Sequence, residues 1–413
     1  MEIEELKKSV FHLLRDLKQE GLGKRVYSDI VDEDGRQYVD IVMEGGGVWG
    51  IALMGYTYIL EELGIRFIGF GGTSAGAINA MLMAAQGDYD KPKTEKLLEL
   101  LANQSLADFM DGDNDAQEFI ETFVLNKDKP GTLKAAWTGW NVVDNFRDYW
   151  GLNPGQTFLE FMTKALEGMH VKSQGDLDAK LSETPTLFLR GEDEPTEIPD
   201  FKARLSLVTT ELVTQTKVDF PRMGKLFWAN PKEVNPSLYV RASMSVPFFF
   251  IPMKVNDLPD NTNAMVAWDE LASYRGEVPE KAYFVDGGMV SNFPIDLFHS
   301  SGVPRMPTFG VKLGLERNEP NEITNFFQFL GCMIGTMRHV HDYTFLTKNK
   351  DYKKLIQNIK VDDFNWLDFN MSDDDKIELF QRGAEAAATF LRKFNWAAYK
   401  ELRASLKRYE DSE

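Results

Sequence analysis

Hydrophobic residues in the first twenty positions fall at Ile3, Leu6, Val10, Leu13, Leu14 and Leu17, the spacing of one helix face. The pattern then changes character. Residues 38–43 (YVDIVM) form an apolar run that predicts a buried strand. After a glycine loop, Ile51, Leu53, Met54, Tyr58, Ile59 and Leu60 predict a helix that stops at Gly64. Residues 66–71 read as the next strand, and residues 73–85 open a second apolar helix. Strands alternating with helices predict a mostly parallel sheet covered on both faces, an α/β protein of three α/β/α layers.

Farther along, residues 94–102 and 154–166 have helical spacing between loops rich in Asp and Glu. Strands resume at 205–210, 226–228, 282–286 and 308–313. From about residue 322 the pattern turns helical again. Ser372-x-x-Asp375 fits a helix-starting cap, with Ile377, Phe380, Ala384, Ala387 and Leu391 following at helical spacing. The expected organisation is a leader with an amphipathic helix (1–37), a main α/β domain (38–315) carrying a helical insertion (86–200), and a helical C-terminal extension (316–413). No repeat or long linker divides the chain.

Charge sharpens this division. The 413 residues carry a formal net charge of −18. Residues 86–200 hold 23 acids against 11 bases, whereas residues 41–85 hold three acids (Glu44, Glu61, Glu62) and one base (Arg66). The insertion therefore reads as an acidic cap beside an electrostatically quiet core. So negative a chain is a poor nucleic-acid binder, because phosphate affinity comes from clustered Lys and Arg. The cap also predicts weak attraction to anionic bilayers. A single cysteine, Cys332, excludes an intramolecular disulfide and a cysteine-based zinc site, and makes a reducing, cytoplasmic setting the default. No stretch has the ~18 unbroken apolar residues of a spanning helix.

Three motifs carry chemistry. Gly72-Thr73-Ser74-Ala75-Gly76 is a G-x-S-x-G between a predicted strand and helix, where a nucleophile elbow lifts a serine hydroxyl out of a sheet and the flanking Gly72 and Gly76 relieve clashes. Gly45-Gly46-Gly47-Val48-Trp49-Gly50 matches a dinucleotide-binding fingerprint, G-x-G-x-x-G. That reading wants an acid at the end of the second strand, and here that strand runs through Gly71 and Gly72 directly to Ser74. The same amides make an anion cradle, which beside a reactive serine suits a tetrahedral oxyanion. Asp286-Gly287-Gly288 ends an apolar strand. Of the five histidines, His12, His170, His299, His339 and His341, none sits at a strand end, so an aspartate acting directly as base is the alternative to a triad. The His339-x-His341 pair lacks a third ligand nearby, and no metal site is expected.

Together, EGGGVWG, GTSAG some twenty-five residues later and a distant DGG resemble the patatin-like phospholipases. Residues 241–247 (RASMSVP) and 205–221 (LSLVTTELVTQTKVDFP) are similar to further segments of that family, and the resemblance spans about residues 38–315. It implies a Ser–Asp dyad that hydrolyses lipid acyl esters without calcium, histidine or another cofactor. Ser74 would be the nucleophile, Asp286 the base, and the amides of Gly45, Gly46 and Gly47 the oxyanion hole, with Gly50, Gly72, Gly76, Gly287 and Gly288 supporting the motifs. The family usually has Arg or Lys where this chain has Trp49. The implied partner is a lipid or other acyl ester, met by peripheral membrane contact or through an activating partner. The competing readings are a catalytically silent scaffold on the same fold and a dinucleotide-dependent oxidoreductase.

Overall fold

The computed structural model describes residues 2–102, 104–113, 117, 149–191, 194–314, 320, 323, 332–333, 335–336 and 344–410. Its strands are β1 (Ile30–Val31), β2 (Gln37–Met43), β3 (Ile65–Thr73), β4 (Gly151–Asn153), β5 (Leu187–Leu189), β6 (Thr196–Ile198), β7 (Arg204–Glu211), β8 (Thr216–Phe220), β9 (Phe248–Phe250), β10 (Met253–Asn256), β11 (Lys281–Asp286), β12 (Thr308–Leu313) and β13 (Ile356–Ile359). The helices are α1 (Ile3–Ser9), α2 (Phe11–Gln19), α3 (Gly50–Glu62), α4 (Ala75–Ala84), α5 (Thr94–Ala102), α6 (Gln156–Gly168), α7 (Gln174–Leu181), α8 (Ser237–Ser243), α9 (Thr262–Ala272), α10 (Asp373–Lys393) and α11 (Trp396–Glu410).

The centre of the sheet is parallel, in the order β13, β12, β2, β3, β7. Its flanks are antiparallel, with β8 and β11 both on β7, β10 beyond β11, and the short β1, β5 and β6 on the other side. All seven residues of β2 are buried, as its largely apolar run predicts for a central strand. Asp40 is the exception in character, and the guanidinium of Arg204 on β7 bonds both its oxygens at 2.8 and 2.7 Å. That pairing satisfies a charge that could not otherwise be buried.

α3, which links β2 to β3, and α4, which follows β3, pack against each other on one face of the sheet. Both helices are apolar on nearly every side because they are enclosed. α10 crosses α3 so closely that a Cβ at Gly383 would overlap the Ala52 carbonyl, and one at Gly55 the Phe380 carbonyl. Ser372 caps α10 as its sequence predicts, its Oγ accepting from the Asp375 amide at 3.1 Å.

Residues 226–228, expected as a strand, instead close a 3-10 turn (Gly224–Leu226) and continue as irregular chain. Phe227 and Trp228 are apolar because they join an aromatic cluster with Phe220, Tyr239 and Phe284, and a short apolar run does not distinguish that from a strand. No helix among the described residues is long and apolar enough to cross a membrane. His339 and His341 lie outside the described residues.

Candidate active site

Ser74 stands between the last residue of β3 and the first of α4, with φ 52° and ψ −118°. That left-handed backbone is rare for a residue with a side chain and is tolerated where surrounding bonds hold it. The glycines around it are required by contact. A Cβ at Gly72 would strike the Gly76 and Ala77 backbone, and one at Gly76 would overlap the Met43 carbonyl at the end of β2. Gly50 is similarly tight, its virtual Cβ only 3.2 Å from that of Ala75. Strand, elbow and helix thus close on one another.

Two hydrogen bonds hold the elbow. The Ser74 amide donates to Ser243 Oγ at 2.9 Å, and that hydroxyl donates to the Val208 carbonyl at 2.6 Å. Ser243 is fully buried at the end of α8. Two residues on, the Ser245 carbonyl accepts the Asp286 amide at 2.8 Å. The RASMSVP segment therefore grips the backbone of both candidate residues, a role its composition did not announce. Arg241 steadies the segment from within. Its guanidinium donates to the Pro154 and Ile251 carbonyls at 2.6 and 2.8 Å and to Ser245 Oγ, and burial lowers its pKa to about 10.

Asp286 reaches the same end of the sheet by an unexpected route. β11 runs antiparallel to β7, so it comes in from beyond the carboxyl edge and ends there. Thr73 pairs with Val208 and Asp286 with Thr209, and β8 fills the other edge of β7 there, so β3 and β11 meet end to end along one edge and bring the two candidates to adjacent positions. The two strand ends are in contact: a Cβ at Gly287 would come within 3.0 Å of the Thr73 methyl. The Asp286 carboxylate is buried, and its Oδ1 accepts the Gly288 amide at 2.6 Å. Gly287 has no room for a side chain, because a Cβ there would overlap the Val208 carbonyl.

The glycine loop lies on the other side of Ser74, and a Cβ at Gly45 would come within 3.1 Å of Ser74 Cβ. Of the three amides expected to cradle an oxyanion, that of Gly45 is committed elsewhere: it donates to the Asn292 carbonyl at 3.1 Å. The amides of Gly46 and Gly47 have no acceptor among the described residues. Glu44 anchors the loop, its buried carboxylate accepting from Asn292 Nδ2 at 3.2 Å and from the Leu313 amide at 2.6 Å. As one of only three acids in the quiet segment 41–85, Glu44 carried a signal that sequence reasoning passed over. Trp49 adds a second anchor, its indole N–H donating to the Phe364 carbonyl at 3.1 Å.

Beside Ser74 opens a pocket of about 710 Å³, its mouth included. Four regions of sequence build it. α3 and α4 supply Ile51, Met54 and Ile78; the acidic insertion supplies Leu106, Phe109, Phe158 and Phe161. The chain after α8 adds Met244, Val246 and Phe250, and residues 366–369 add Trp366, Leu367 and Phe369. Ser74 and Asn79 are the polar side chains in a lining that is otherwise apolar or glycine. None of the described histidines lines it: His12 and His170 are exposed, and His299 Nδ1 meets the Tyr352 hydroxyl at 2.6 Å. No cluster of three metal-ligating side chains occurs among the described residues.

The chain is 29% identical over 363 residues to the uncharacterized protein YqhO of Bacillus subtilis (strain 168), covering 87% of this chain and all of that one. Among solved structures, VipD from Legionella pneumophila aligns with 89% of this chain and 71% of its own at 15% identity and a TM-score of 0.40. The type III effector protein ExoU aligns with 88% of this chain at 13% identity and a TM-score of 0.36, and this chain spans 54% of its length. The family model of the patatin-like phospholipases matches residues 41–299, from the strand before the glycine loop to beyond the aspartate, and the protein belongs to that family.

Proposed function

We propose that this protein is a serine acyl hydrolase that cleaves fatty-acyl esters of phospholipids or related lipids through an acyl-Ser74 intermediate, with Asp286 as general base. The observation that carries this reading is an elbow serine bordering a pocket whose other side chains are almost all apolar. Such walls suit a hydrocarbon chain and offer a charged or sugar-like substrate almost nothing.

Asp286 Oδ takes the Ser74 hydroxyl proton as Oγ bonds to the ester carbonyl carbon. The amides of Gly46 and Gly47 donate to the oxyanion, and the first turn of α4 adds its positive end. The tetrahedral intermediate collapses, the ester C–O bond breaks, and the alcohol leaves with the proton from Asp286. Water then repeats the sequence on the acyl-serine: Asp286 takes its proton, hydroxide oxygen bonds to the carbonyl carbon, and Ser74 Oγ leaves with that proton as the fatty acid departs. No step needs a metal ion or an organic cofactor. Residues 38–315 serve as the catalytic domain in this reading. The insertion 86–200 acts as a cap, an assignment favoured by its five aromatic and aliphatic contributions to the pocket wall.

The test is hydrolysis of a short-chain and a long-chain acyl ester by the wild type, Ser74→Ala and Asp286→Asn, with fluorophosphonate labelling of Ser74. Both variants should lose at least a thousandfold in kcat/KM. Full activity in either variant would sink the dyad.

A further inference from the structure

The catalytic loop is clamped by a part of the chain that lies sixty residues beyond the family match. Immediately after Gly47, the Val48 amide donates to the Trp366 carbonyl at 3.0 Å, and the Trp49 indole donates to the Phe364 carbonyl at 3.1 Å. Gly47 itself, at φ 54°, presses on this segment, and a Cβ there would overlap the Trp366 carbonyl. Residues 361–371 are held at both ends. Arg382 of α10 bonds Asp363 Oδ2 at 2.6 Å and lies 4.8 Å from the centre of the Phe364 ring. Phe369 stacks on Phe249 with ring centres 5.5 Å apart. Between these anchors Trp366, Leu367 and Phe369 face the pocket that Ser74 borders.

We propose that residues 361–371 form a strap that selects the acyl group with Leu367 and Phe369 and positions the Gly46 and Gly47 amides through Val48 and Trp49. The proposal rests on the reading of Ser74 as the acyl-accepting nucleophile. One short segment both touches the space an acyl chain would fill and bonds the loop that would hold the oxyanion. A chain that fits against Leu367 therefore leaves the carbonyls of Phe364 and Trp366 where the loop needs them, and a chain that displaces the strap drags the amides out of line. Selectivity would then appear in kcat as well as in KM. Trp49 is a positioning residue on this account, since it reaches the reacting atoms only through the loop.

The experiment compares p-nitrophenyl esters from butanoyl to hexadecanoyl on the wild type, Leu367→Ala, Leu367→Trp and Trp49→Phe. Each methylene newly accommodated multiplies kcat/KM by about four. The hexadecanoyl-to-octanoyl ratio should rise about tenfold in Leu367→Ala and fall about tenfold in Leu367→Trp. Opposite shifts from one position cannot come from general unfolding. Trp49→Phe keeps the ring and loses the donor, and should lower kcat for the butanoyl ester about tenfold with KM within twofold. Chain-length profiles that superimpose on the wild type, or a Trp49→Phe change confined to KM, would overturn the strap while leaving the dyad intact. A wild type that turns over none of the esters and whose Ser74 resists fluorophosphonate would overturn both.

Discussion

Ser243→Ala removes one oxygen atom from a fully buried site, and its cost can be worked from two bonds. The hydroxyl accepts the Ser74 amide at 2.9 Å and donates to the Val208 carbonyl at 2.6 Å. Deletion leaves a buried N–H with no acceptor, at about 1–3 kcal/mol, while the carbonyl, which has two lone pairs, loses less. A total near 2–4 kcal/mol follows. The elbow stores strain of its own, about 1–3 kcal/mol for a serine at φ 52°, and the lost bond opposes its relaxation. If half of the lost free energy appears in the equilibrium between strained and relaxed elbow, kcat/KM falls about 5–30-fold. Thermal unfolding and fluorophosphonate labelling of Ser74 read the two components separately. Ser245→Ala is the companion, because Ser245 holds Asp286 through its carbonyl and keeps that bond. A Ser243→Ala protein with wild-type melting and labelling rate would refute the argument that this hydroxyl holds the nucleophile.

Two further outcomes concern the rest of the molecule. Alanine in place of an exposed helix glycine stabilises by up to about 1 kcal/mol, but Gly383→Ala should destabilise by about 1–3 kcal/mol in chemical denaturation, because its methyl meets the Ala52 carbonyl across the α10–α3 crossing. Lys93 is buried with its ammonium on the Gly87 and Asp88 carbonyls, and desolvation lowers its pKa to about 8. Its unfolded value is higher, so between pH 8 and about 9.5 the unfolded chain holds the extra proton and stability should rise with pH. Above that range the buried tyrosines Tyr27, Tyr58 and Tyr352, raised by burial to about 12, reverse the trend. Melting temperatures of the wild type and Lys93→Met across pH 7–10 check this, the rise being absent in the variant.

The parallel core and the three motifs were legible because their signals are local. A glycine pair brackets Ser74 within five residues, and the runs at 38–43 and 66–71 are buried strands wherever they are placed. The direction of β11 was not legible: an aspartate at a strand's end looks the same whether the strand leaves the sheet edge or arrives at it. The hydrogen bond of the Gly45 amide was illegible for a related reason, since its acceptor, the Asn292 carbonyl, lies 247 residues away. The far wall of the pocket carries no local signal, because Leu367 and Phe369 gain their meaning only from the chain they face. Trp49, a departure from the family's usual basic residue, finds its reason in the same place, as a donor to the Phe364 carbonyl.

The neighbours of β2 bear on how the protein is made. Along Asp40–Met43 one edge of this strand is taken by β3, about 30 residues on, and the other by β12, about 270 residues on. α3 likewise waits for α10 to cover it. On a ribosome adding residues in order, this fully buried central strand emerges early and keeps an open edge until position 313 is synthesised. Such late, non-local closure slows folding and leaves a sticky intermediate. A nascent chain of this kind depends on chaperones to shield that edge, and a fragment cut at residue 299, where the family match ends, keeps the edge exposed and should aggregate.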